Sequence, residues 1–253
     1  MQPGAGQAYG PLLGGPHRAH TGTMTTTLIT GANKGLGFET ARQLVAAGHT
    51  LYLGCRDAGR GRAAAESAGG HFIELDVTSD ASVAAAAERI RAESGRLDVL
   101  VNNAGISGGF TPPAEVTASN FQDVYQVNVF GMARMIHAFL PLLRESAGAI
   151  VNVSSGMGSI TNTSNPARGE WALHSVVYSS SKAAVNMLTT QYAKSFPELR
   201  INAVDPGYTN TDFNGHRGPQ TVQEGAEVIV KMALAGPDGP SGTYTNRFGT
   251  LPW

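Results

Sequence analysis

From Thr25 onward, short runs of Leu, Val and β-branched residues alternate with longer Ala-rich stretches, and no other feature limits the fold as strongly. A short run that is apolar on every residue suits a strand covered on both faces, and the helical stretches between such runs supply the cover. The pattern predicts strands at 26–30, 50–54, 71–75, 99–102, 149–153, 201–204 and 242–244. It predicts helices at 35–47, 59–68, 79–93, 177–195 and 222–234, with one long helix or a pair over 118–144. Ser79 stands where it can cap the third helix, and Asp80 suits the positive end of that helix. Neither a linker nor a repeat nor a charge block interrupts Thr25 to Trp253. The expectation is one α/β domain over 24–253, with a doubly wound, mainly parallel sheet of seven strands.

Composition removes several classes of function. Net charge is −1 with 15% charged residues, so no broad basic field exists to hold nucleic acid or an anionic membrane surface. No apolar stretch is long enough to span a bilayer. Cys55 is the sole cysteine, which excludes an intrachain disulfide and fits a reducing compartment; cytoplasm is the expected location. Residues 1–23 are rich in Gly, Pro, Ala and His without periodicity, and read as a disordered leader or added extension, with Met24 a candidate start. His17 and His20 in that leader have no carboxylate or thiol beside them, so no metal site is expected.

Chemistry first shows at Leu28 to Gly37, where an apolar strand runs through Gly31, Gly35 and Gly37 into a helix. Glycines let backbone approach a pyrophosphate, and the helix start offers free N–H groups to it. At the end of the next strand, an NAD-selective site would place an acid for the adenosine ribose. Cys55 stands there instead, followed by Arg56, whose planar fork suits a 2′-phosphate. Lys34 in the glycine turn adds a second cation, so NADP(H) is favoured over NAD(H), although Asp57 could still reach the ribose.

A strand ending in Ser154-Ser155 precedes Tyr178 and Lys182, which lie one helical turn apart on the same face. A tyrosine acting as a proton donor near neutrality starts about three pH units too high, and a neighbouring ammonium is the direct way to bring it down. Lys182 is placed to do so, and Ser155 to hold a substrate oxygen against Tyr178.

Taken in order, these motifs, with Asp76-Val77, Asn102-Asn103-Ala104-Gly105, Asn128 and Asp205 to Thr209, resemble the classical branch of the short-chain dehydrogenase/reductase family, near its carbonyl reductases. The resemblance implies a Rossmann-type fold and hydride transfer from NADPH to a ketone or aldehyde, reversible as an alcohol dehydrogenase. It implies a catalytic set of Asn128, Ser155, Tyr178 and Lys182, with Tyr178 as general acid or base. The cofactor would lie against Gly31, Asn33, Lys34, Gly35, Leu36, Gly37, Arg56, Asp76, Val77, Asn103, Ala104 and Gly105. Tyr178, Lys182, Pro206, Gly207 and Thr209 would complete that site. Asn128 would hold a water linking Lys182 to solvent.

The interval between Ser155 and Tyr178 is longer than is common in the family, and it sits beside the substrate cleft. Trp171 there reads either as a pocket wall or as a buried anchor, and His174 as a contact or gate. Phe110, Tyr208 and Phe213 complete an expected aromatic lining, which suits an apolar small-molecule carbonyl. In carbonyl reductases an insertion here accompanies a monomer, so monomer, homodimer and homotetramer all stay open. Two other functions fit the same fold: a nucleotide sensor without turnover, and an epimerase or lyase that retains NAD.

Overall fold

The computed structural model describes residues 24–253, so the expectations for residues 1–23, His17 and His20 lie outside the described residues. Strand β1 (Thr26–Thr30) is buried at every position, as an unbroken apolar and β-branched run requires when both faces are covered. Helix α1 (Gly35–Ala46) leads to β2 (Thr50–Cys55), and α2 (Ala58–Ala68) to β3 (His71–Glu74). After α3 (Asp80–Ser94) comes β4 (Val99–Asn102), and after α4 (Ala118–Tyr125) and α5 (Met132–Glu145) comes β5 (Ala149–Val153). The short α6 (Ile160–Thr163) and the long α7 (Val176–Ser195) precede β6 (Arg200–Val204). Helix α8 (Val222–Ala233) is followed by β7 (Tyr244–Asn246) and β8 (Gly249–Thr250).

The strands form one sheet in the order β3-β2-β1-β4-β5-β6-β7-β8, parallel except for the β7–β8 pair. It carries one strand more than the pattern predicts. Asn246 Oδ1 accepts from the Phe248 and Gly249 amides, closing a turn that returns only two residues as β8, too short for any periodicity to reveal. Strand β7 also starts two residues later than expected, because Gly242 adopts a left-handed φ of 70°.

Each face of the sheet has its own core. On one, α3, α5 and α7 bury Val83, Ile90, Met135, Ile136, Phe139 and Val185; on the other, α1, α2 and α8 bury Ala41, Leu44, Ala64, Ala65, Val228 and Ile229. Small residues on α1 and α2 bring those helices close to the strands. Ser79 caps α3 by accepting from the Ser82 amide, and Thr221 with Glu224 forms a reciprocal capping box on α8. The expected 118–144 helix is a pair joined by a π-helical turn over Gln126–Gly131. Strand order reverses between β1 and β4, so a crevice opens beyond their carboxyl ends, where ligands bind in open parallel sheets.

Candidate active site

Every motif singled out in the sequence lies at the carboxyl edge of the sheet or on the helices that flank it. At β1, the Gly31 amide donates to Gly54 O at 2.8 Å, turning the chain sharply off the strand. Gly31 has a φ of 65°, and a Cβ there would come within 3.0 Å of Ala104 Cα, so both conformation and space demand glycine. No side chain caps α1 and its first turn holds no acid, which leaves its leading amides facing the crevice mouth for an anion. This cradle fits a pyrophosphate.

The neighbouring loops are fixed by Thr30, which the motif contains but to which no role was assigned. Thr30 Oγ1 accepts from the Asn103 and Ala104 amides at 3.0 and 2.9 Å, while Asn103 Nδ2 donates back to Thr30 O at 2.9 Å. Asp76 is held by Thr78, which donates to it through both amide and hydroxyl, and Val77 is buried beside it. At the end of β2, Cys55 is buried and Arg56 is exposed. Asp57 caps α2 by accepting from the Arg60 amide at 2.8 Å. Lys34 does not stand free: its ammonium lies 2.7 Å from Asp212, which also meets His216 Nε2 at 2.8 Å.

The groups expected to react converge at β5 and α7. Ser154 is buried and its hydroxyl donates to Asn186 Oδ1 at 2.6 Å, so it faces inward. Ser155 is half-buried and close enough to half-buried Tyr178 to act on its phenol, whereas Ser154 turns inward. Lys182 Nζ donates to Val153 O at 2.7 Å and lies 5.7 Å from the centre of the Tyr178 ring. Asn128 sits in the π-helical turn; its amide accepts from Ile106 N and donates to Ile106 O and Ser181 Oγ, tying the exit of β4 to α7. A Cβ on Gly105 would stand 3.3 Å from Asn128 Oδ1 and 3.7 Å from Lys182 Nζ, so these three also meet. Beneath them a small cavity is lined by Thr30, Asn102, Asn128 and Lys182.

Burial dominates the electrostatics. It pulls the Lys182 ammonium down to about 8, with the negative charge of Asp205 pulling the other way. It also pushes the Tyr178 phenol above its ordinary range; the Ser155 hydrogen bond acts against this and the charge of Asp205 adds to it. The direction at Tyr178 is opposite to the lowering expected from Lys182, because burial and the charge of Asp205 both disfavour the phenolate. Asp205 itself is raised by burial, against hydrogen bonds from the Gly207 and Gly156 amides, with Glu170 pushing it further up. Asp205 and Glu170 therefore bear on the expected site, although Asp205 was read only as part of a motif and Glu170 not at all. Asp205 hides inside a turn motif, and Glu170 lies in a loop with no recognisable spacing.

Gly207 has a φ of 76°, and its amide donates to Asp205 Oδ1 at 3.0 Å; Pro206 O accepts from Gln220 and from buried Thr209. Phe213 packs its ring 5.6 Å from that of Tyr178. Phe110 and His174 line a shared recess with Gly108, Asn120 and Val177. Tyr208 is exposed, and Trp171 is 48% exposed, which excludes the buried-anchor reading of that tryptophan. Among the described residues no group of three or more His, Cys, Asp or Glu could hold a metal ion, and no helix is long and apolar enough to cross a membrane.

Comparison with known proteins follows the same outline. The family model described as short chain dehydrogenase matches residues 25–221. The (+)-neomenthol dehydrogenase of Arabidopsis thaliana is 34% identical, with 87% of this chain and 95% of that protein covered. Salutaridine reductase from Papaver somniferum superposes with a TM-score of 0.78 at 29% identity, covering 88% of this chain and 99% of that one. The carbonyl reductase Sniffer of D. melanogaster gives 0.79 at 27% identity, covering 91% of this chain and 100% of its own.

Proposed function

The chain belongs to the short-chain dehydrogenase family, and from that premise we propose that it reduces a ketone or aldehyde with NADPH, reversibly. The observation that carries the reading is the meeting of Ser155, Tyr178, Lys182 and Asn128 beside an uncapped glycine cradle. The relatives' names, a dehydrogenase and two reductases, support the same class of chemistry. When bound, the dinucleotide supplies the hydride.

The chain's own residues do the rest. Gly31, Asn33, Gly35, Leu36 and Gly37 present backbone to the pyrophosphate, and Asp76, Val77 and Asn103 to Gly105 border the adenosine side. Arg56 and Lys34 are the candidate partners of a 2′-phosphate. Asp57, already capping α2, is less able to serve a ribose hydroxyl, which supports NADPH over NADH. Ser155 and Tyr178 hold the carbonyl oxygen, and Tyr178 donates the proton. Lys182 stabilises the resulting phenolate, and the cavity beside Asn128 offers room for the water that returns the proton. Pro206, Gly207 and Thr209 border the nicotinamide. Phe110, Trp171, His174, Tyr208 and Phe213 surround the substrate, whose aromatic lining suits an apolar carbonyl compound.

The test is nicotinamide absorbance with NADPH and NADH against ketones, aldehydes, quinones and cyclic imines. Tyr178→Phe should cut kcat by on the order of 10²–10⁴ while cofactor still binds. Arg56→Ala should weaken NADPH selectively, leaving NADH unchanged. Near-normal turnover in a folded Tyr178→Phe variant would falsify the mechanism, and equal losses for both cofactors would remove the role of Arg56.

A further inference from the structure

A wholly buried phenol needs a hydrogen-bond partner, and a partner of Tyr244 lies at the catalytic edge. From β7, the second strand beyond β5 in the sheet order, its hydroxyl donates to the backbone carbonyl of Ser155 at 2.6 Å. That carbonyl also accepts from the Gly158 amide at 2.8 Å, so the Ser155 peptide is held by one donor from its own turn and one from across the sheet. Ser155 itself is extended, with φ −167° and ψ 151°, at the point where the strand gives way to a tight turn. The direction of a side chain follows the plane of its peptide. A tilt there moves the hydroxyl away from Tyr178.

The ring of Tyr244 is fixed in turn by residues 251–253. Trp253 stacks on it at 5.4 Å with an interplanar angle of 23°, and the Leu251 amide donates to Tyr244 O at 2.7 Å. Ser159 Oγ donates to Pro252 O at 2.8 Å, and Thr161 Oγ1 to Trp253 O at 2.9 Å. This strap thus grips both Tyr244 and the turn that follows Ser155. We propose that Tyr244 is a positioning residue for Ser155, acting through its bond to the serine carbonyl, and that the 251–253 strap holds it in place. The inference rests on the reductase reading given above.

Tyr244→Phe keeps the ring and its stack while deleting the hydroxyl. It should lower kcat about tenfold with the best carbonyl of the panel, leaving carbonyl KM, NADPH affinity and melting temperature nearly unchanged. In a Ser155→Ala background the same change should cost nothing more, because the group being positioned is gone. Trp253→Ala should lower kcat in the same direction by a smaller factor, about threefold. Equal losses in both backgrounds, a loss matched by a fall in melting temperature, or no loss at all would each overturn the proposal. A wild-type chain without turnover sinks the reductase reading and this inference together. An active wild type with a fully active Tyr244→Phe variant sinks only this one.

Discussion

Gly37 lies in the first turn of α1, at the glycine cradle, and Gly169 opens a short turn in the loop between Ser155 and Tyr178. A methyl group added at Gly37 would come within 2.5 Å of Asn103 Nδ2 and 2.7 Å of Gly31 O, whereas at Gly169 it would meet nothing within 4 Å. The cofactor wall is packed to contact and cross-linked by Thr30 and Asn103. The wall proposed for the substrate is made of loops and short 3-10 turns that carry exposed aromatic rings, among them Phe110 at 76% and Trp171 at 48%. The wall proposed for the cofactor would have to fit a ligand of fixed shape, and it is closely packed. The other is free to vary because its packing constrains little else.

The same substitution at both glycines gives the sharpest test of this contrast. Gly37→Ala should weaken NADPH binding by at least about tenfold and destabilise the fold by about 1–3 kcal/mol, the usual cost of overpacking. Gly169→Ala should change neither beyond about 0.5 kcal/mol. Calorimetric titration with NADPH and thermal melts decide it. If Gly169→Ala does comparable damage, the loop is as tightly built as the cradle and the contrast fails.

The contrast also explains what could be read without coordinates. The cradle, β4 and α7 were legible because each combines a periodic element with a motif whose spacing the backbone dictates, as in Gly31 to Gly37 and Tyr178 with Lys182. Ser155 over Ser154 was read from the resemblance alone, since two neighbours on a strand point to opposite faces and only the register tells which faces the crevice. The electrostatic effect of Asp205 and the bond from Tyr244 were missed for another reason. Both act across long sequence separations, Tyr244 reaching Ser155 over 89 residues, and no local pattern encodes such a pairing. The upward push on Tyr178 was beyond reach too, because desolvation depends on how much water the finished fold excludes.

Lys182 lies between the two walls, and its titration asks whether the site works through charge or through packing. Its usual value of 10.5 is pulled to about 8 by burial. If the ammonium is needed, kcat/KM for NADPH should be level below pH 8 and fall by up to about tenfold per unit above it. Stability should move the other way. Between about pH 8 and 10 the unfolded chain still holds the lysine proton while the folded chain has released it, so the penalty of burying the charge is relieved as pH rises. Activity that falls while this contribution to stability grows separates a catalytic charge from a structural one. A parallel decline of both would assign Lys182 to the fold instead.

The smallest expected effect belongs to the loose wall. Trp171 is half exposed, and its amide bond to Arg168 O is part of a turn that survives loss of the ring. Trp171→Ala should therefore leave the melting temperature and NADPH affinity unchanged. If the ring covers substrate, carbonyl KM should rise about fivefold, the effect of losing partial burial of an apolar surface, with kcat little altered. The rise should be larger for bulky cyclic ketones than for small aldehydes, since only the former extend far enough from Tyr178 to reach the loop. A change in NADPH affinity would show instead that the loop bears on the cofactor wall, and the division between a rigid wall and a variable one would have to be redrawn at Trp171.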